Sequence, residues 1–141
     1  MATYSNLEIY KLTHKLVVTL TPIAVRLKHN YKFTYGDDIV NTTKELLLKI
    51  YDINAIQGQE RLNEFKEFFR IYERLKQLLG ILVELKIMDG KKLGPSFSML
   101  GQIGKHGRKW WNYSKNYYNT GKKMPSVVKE NDYTIKEDEL F

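Results

Sequence analysis

The sequence contains no cysteine, which excludes disulfides and thiolate metal sites and fits a cytoplasmic protein. No run of eighteen apolar residues occurs, so no membrane span is expected. The first residues, MATYSNLEIYKL, lack the charged and then apolar regions of a signal peptide. The phosphate-binding patterns G-x-x-x-x-G-K-[ST] and G-x-G-x-x-G are both absent. The three histidines, His14, His29 and His106, have no second histidine or carboxylate at metal-ligand helical spacing. No inward-facing glutamate pairs with a histidine three residues on, as a di-iron bundle would need. The chain therefore reads as noncatalytic, with no metal and no cofactor.

Acidic charge is also missing where basic charge is dense. Residues 91–123 hold eight lysines and arginines and no aspartate or glutamate. Residues 1–90 are nearly balanced, with 13 basic and 11 acidic side chains, and residues 124–141 are acidic. The net charge is +7. A basic segment concentrated in this way is the footprint of a polyanion binder.

Proline is scarce, at three residues, and apolar positions recur at steps of three and four. Four helices are expected, with no strand. The first covers about 6–29, with Ser5 and Glu8 as a capping box, a stripe of Ile9, Leu12, Leu16, Leu20, Ile23 and Leu27, and a kink at Pro22. The second covers about 35–56, started by a weaker capping box of Thr34 and Asp37. The third, about 60–88, places Leu62, Phe65, Phe69, Tyr72, Leu75, Leu79, Leu82 and Leu85 inside. Its other face is a solvated mixture of signs that includes Arg61. Asp89-Gly90 ends it, and Pro95 takes the first position of the fourth. His14 reads as a solvated helix residue, His29 as a cation at a helix C-terminus, and Asp37 and Asp38 as anions at an N-terminus. Short connections imply an all-α, antiparallel up-down-up-down four-helix bundle over residues 1–119. Residues 120–141 read as an acidic tail, disordered or docked on something else.

The stretch GQIGKHGRKWWNYSKNYY, residues 101–118, resembles at first sight the I-G-x-x-G loop of KH domains. A helical reading accounts for it better. At about 100° per residue, Lys105, Arg108, Lys109, Asn112, Lys115, Asn116 and Asn119 share an arc of about 120°. Met99, Leu100, Ile103, Trp110, Trp111, Tyr113, Tyr117 and Tyr118 share an opposite arc of about 160°. A loop at 104–107 would have no reason to keep that phase. A KH domain also needs a sheet that the chain does not offer. Gly107 faces the apolar arc and Gly104 its border, so both are expected where a neighbouring helix packs closely, the alternative being close approach of a ligand backbone. Trp110 should be core. Trp111 lies at the edge, at the bundle rim or a subunit interface, and the width of the apolar arc favours self-association.

The segment LEIYKLTHKLVVTLTPIAVRLKHNYKFTYGDDIVNTTKELLLKIYDIN resembles the first half of the four-helix-bundle family that includes the accessory variability determinant of diversity-generating retroelements. The same family holds proteins encoded in intervening sequences of bacterial 23S ribosomal RNA genes. Lys32-Phe33-Thr34-Tyr35-Gly36-Asp37 resembles the family's basic-Phe-Thr-Leu-Gly-Asp turn, and IGKHGRKWW resembles its last helix. The resemblance covers about residues 5–113, and the acidic tail departs from it. It implies a bacterial or phage-encoded homopentameric barrel of bundles, noncatalytic, binding a reverse transcriptase and its template RNA, alone or as an RNA/DNA hybrid, to support mutagenic cDNA synthesis.

The family motifs do not fix individual binding residues, so the candidates come from charge and helical phase. Lys105, Arg108, Lys109 and Lys115, with Asn112 and Asn116 as uncharged donors, form the primary nucleic-acid face. Lys11, Lys15, Arg26 and Lys28 on the first helix, and Arg70 and Arg74 on the third, are secondary. Such residues favour phosphate contacts with modest sequence specificity. Trp111 is the candidate oligomer contact. Two other roles fit the same residues: an intervening-sequence-type protein with no polymerase partner, and a helical scaffold whose basic surface binds another protein.

Overall fold

The computed structural model describes residues 7–119, and those residues contain no strand. α1 spans Glu8–Val25, a short α2 spans His29–Tyr31, α3 spans Asp37–Ala55, α4 spans Gln59–Glu84 and α5 spans Gly90–Asn119. A π-helical turn, Lys32–Gly36, joins α2 to α3. The four long helices surround one core, with α1 against α3 and α5, and α4 against α3 and α5. Leu16, Leu46, Ile50, Leu75, Leu79, Leu93, Ile103 and Trp110 are fully buried in it. None of the described helices is long and apolar enough to cross a membrane.

Several local expectations change. The Ser5 cap and the acidic tail lie outside the described residues. α1 passes through Pro22 but stops at Val25, so His29 does not end it. His29 instead opens the α2 turn and meets Phe33 edge-on at 4.8 Å. Thr34 does not cap the next helix. It sits inside the π turn and donates to the Asn30 carbonyl at 2.8 Å. The glycine of that turn has a steric reason. A Cβ on Gly36 would lie 2.6 Å from the Ala24 carbonyl oxygen, so the π turn can press against the end of α1 only with glycine there.

α4 is shorter than its periodicity suggests. Lys86 takes a left-handed backbone, φ 59°. The Lys86 N–H donates to the Val83 carbonyl and the Ile87 N–H to the Leu82 carbonyl. That is a Schellman ending, in which glycine usually holds the left-handed position. A lysine there costs about 1 kcal/mol. Leu85, beyond the last turn, is consequently exposed, Leu62 and Phe69 of the expected stripe are only half-buried, and Phe68 and Ile71 join the core. Arg61 is not on the solvated face. It is fully buried, and its Nε and Nη2 donate to the Ile56 and Asn54 carbonyls at 2.7 and 3.0 Å. It thereby satisfies carbonyls that the C-terminus of α3 leaves open.

α5 begins one turn before Pro95. Asp89 caps it rather than simply ending α4: the Asp89 carboxylate accepts from the Lys91 N–H at 3.0 Å, and its carbonyl accepts from Lys92 and Leu93. The helix then continues through Gly101, Gly104 and Gly107, as the angular phase requires.

Candidate nucleic-acid interface

Two glycines of α5 let α4 come close. A Cβ on Gly104 would lie 2.5 Å from the Tyr72 hydroxyl oxygen and 2.8 Å from its Cζ. A Cβ on Gly107 would lie 3.0 Å from Phe69 and 3.1 Å from Phe68. The Tyr72 hydroxyl crosses the seam and donates to the Leu100 carbonyl at 2.9 Å. Burial raises the Tyr72 pKa, opposed in part by the nearby Arg108 guanidinium. Gly101 differs from both, since a Cβ there would meet nothing within 4 Å. Packing therefore explains Gly104 and Gly107 and leaves Gly101 on the open side.

The aromatic residues extend this seam. Trp110 is buried edge-on against Phe65 at 5.1 Å. Trp111 is half-buried and stacks on Phe69 at 5.4 Å and on Phe65 at 6.1 Å. Lys115 Nζ lies 4.3 Å from the Trp111 ring centre, a cation–π contact that places one charge of the basic arc over the rim aromatic. Lys105, Arg108, Lys109 and Asn112 are half-buried and Asn116 is exposed. The Arg108 guanidinium is partly turned inward, with its Nε buried. No carboxylate occurs anywhere on α5.

The other candidates divide into separate places. Lys11 and Lys15 are exposed on α1. Ile9 lies beside Gly107, 3.6 Å from where its Cβ would be, so Lys11 stands at the level of the α5 basic arc. Arg26 and Lys28 lie near the other end, about 20 Å along the bundle, where they line a groove of about 260 Å³. Sequence reasoning missed the third cation of that groove, Lys86, which only the left-handed ending of α4 brings there.

Arg70 and Arg74 belong to neither group. Arg74 meets Glu45 at 2.8 Å and Arg70 meets Glu67 at 3.5 Å. Both line an α3–α4 groove of about 300 Å³ with Leu48, Lys49, Asp52 and Ile71. Lys49 there bonds Glu64 at 2.7 Å, and that hydrogen bond is the main cause that raises its pKa. Signs balance in this groove, so its arginines have less charge to offer a phosphate than those of α5.

Among the described residues, no group of three or more histidines and carboxylates is arranged to hold a metal ion. His14 is exposed, as expected, and stacks on Tyr10 at 6.2 Å. No protein-family model, curated protein or solved structure matches the chain.

Proposed function

We propose that this protein is a noncatalytic RNA-binding adaptor, the accessory protein of a diversity-generating retroelement. It holds template RNA on the α5 basic arc and brings it to a reverse transcriptase, which supplies the chemistry. The observation that carries the reading is α5 itself: Lys105, Arg108, Lys109 and Lys115 stand on a helix with no carboxylate, beside a rim tryptophan. Lysine and arginine of this kind neutralise phosphates and release counterions with little base readout. Lys11 and Lys15 extend the surface.

The bundle is antiparallel, up-down-up-down. Supporting this, partners on adjacent helices run in opposite numerical order: Lys49 with Glu64 but Glu45 with Arg74, and Phe65 with Trp110 but Tyr72 with Leu100. Subunits assemble as a homopentameric barrel in the cytoplasm, with Trp111 at the contact, and five copies of the basic arc gain avidity for one RNA. The charge-balanced α3–α4 groove, beside exposed Leu48 and Tyr51, suits a polypeptide partner and is the surface offered to the polymerase.

Coexpression tests this. A tagged full-length chain should retain both the reverse transcriptase encoded beside it and RNA. The Arg108→Glu/Lys109→Glu variant should lose RNA and keep the polymerase. Because Arg108 lies near Tyr72, Lys105→Glu/Lys109→Glu serves as the companion variant, with the melting temperature of each checked. RNA retained by both charge-reversed variants would overturn the reading, and loss of the polymerase from the unaltered chain would favour a scaffold for another protein.

A further inference from the structure

The groove at the far end of the bundle is built differently from the α5 arc. Arg26, Lys28 and Lys86 rim it, and Tyr31, Ile87 and Met88 supply an apolar wall. Among the described residues no carboxylate lines it. Asp89, the nearest in sequence, is engaged in capping α5. Its volume of about 260 Å³ lies just below the roughly 300–1,000 Å³ of drug-sized ligand pockets, which suits a ligand no larger than one nucleotide.

Cations at the ends of α1 and α4 have an ordinary role, since a helix C-terminus carries about half a negative charge. Two such ends oppose three full positive charges, so the groove keeps an excess of positive charge. Lys86 adds a second argument. Its left-handed position closes the Schellman ending of α4, where glycine would serve the fold better. A strained residue kept where it lines a charged groove points to a use for its side chain.

We infer that this groove binds a single nucleotide, with the phosphate among Arg26, Lys28 and Lys86 and the base against Tyr31 and Met88. Guanidinium and ammonium groups suit the phosphate, and an aromatic ring with a polarisable thioether suits any base face. The nucleotide is either free or one unit of a strand. The site lies apart from the α5 arc and does not depend on it.

Titration calorimetry on the full chain with adenosine 5′-monophosphate, adenosine, inorganic phosphate and a short oligoadenylate tests the assignment. The monophosphate should bind more tightly than adenosine or phosphate. Lys86→Gly should weaken it about tenfold while raising the melting temperature by about 4 °C. Lys105→Glu/Lys109→Glu should leave monophosphate binding unchanged, which separates this site from the proposed RNA face. Tighter binding of the oligoadenylate, also lost in Lys86→Gly, identifies the ligand as a strand, and equal or weaker binding identifies it as the free nucleotide. Binding of the monophosphate no tighter than phosphate alone, or unchanged binding by Lys86→Gly, overturns the proposal.

Discussion

α4 and α5 pack against each other along one seam, yet they meet solvent in opposite ways. α4 carries five acidic and five basic residues and a single glycine. α5 carries six basic residues, no acidic ones and five glycines. On α4 charge is spent within the protein: Arg61 on the end of α3, Arg70 on Glu67, Arg74 on Glu45. On α5 the basic residues have no carboxylate of their own helix to meet. A mixed-sign helix solvates itself, whereas a helix of one sign leaves a field for something else to neutralise. The glycines repeat the contrast within α5, since Gly104 and Gly107 press on α4 while Gly94 and Gly101 face open space.

The inward side of the seam gives the largest effect. Trp110→Ala should destabilise the chain by about 3–5 kcal/mol, and Trp111→Ala, from the half-buried rim, by clearly less, as read from urea denaturation. Equal losses would mean that the two tryptophans are not divided between core and rim. Next comes Gly104→Ala. The added methyl meets the buried Tyr72 ring, and overpacking should outweigh the better helix propensity, for a loss of about 2 kcal/mol. Gly101→Ala should move the other way, gaining about 1 kcal/mol. If both glycine variants shift the midpoint in the same direction, the division of α5 into a packed and an open side fails.

The smallest effect belongs to α4. Glu64→Gln removes the partner of Lys49 and should cost about 1 kcal/mol at neutral pH. The sign follows from linkage. The folded-state pKa of Lys49 is raised above the ordinary 10.5, so the stabilisation is complete below that value and lost as pH rises through the folded one. The stability gap between Glu64→Gln and the unaltered chain should therefore hold to about pH 9 and narrow above about 10.5. A gap unchanged at pH 11 would place its origin elsewhere.

Much of this was legible in the residues. Period 3.6 spacing was enough for four helices, for the helical state of 101–118 against a glycine loop, and for the burial of Trp110. Element ends were less legible. Periodicity runs on through Lys86, and nothing in the residue itself announces a left-handed backbone where glycine is the usual signal. Asp89 read as a stop because a cap for one helix and an end for the previous one look alike in sequence. Pro95 suits a helix's first position, and only the Asp89 cap one turn earlier moves the start of α5 to Gly90. Arg61 escaped because its partners are carbonyls of α3, which no side-chain pattern encodes. Every candidate cation but Lys86 was visible, and their division into an α5 arc, a distant groove and a neutralised α3–α4 pair set is a matter of tertiary neighbours.

The proposed function rests on RNA binding by the α5 arc through phosphate charge. Affinity for a single-stranded RNA, measured for the unaltered chain and for Arg108→Glu/Lys109→Glu between 50 and 200 mM salt, tests it most directly (about these concentrations the phosphate term is steep). The account predicts at least a tenfold loss for the unaltered chain across that range (about the size that several phosphate contacts give) and no measurable binding by the variant. Affinity independent of salt, or equal binding by the two proteins, would contradict it.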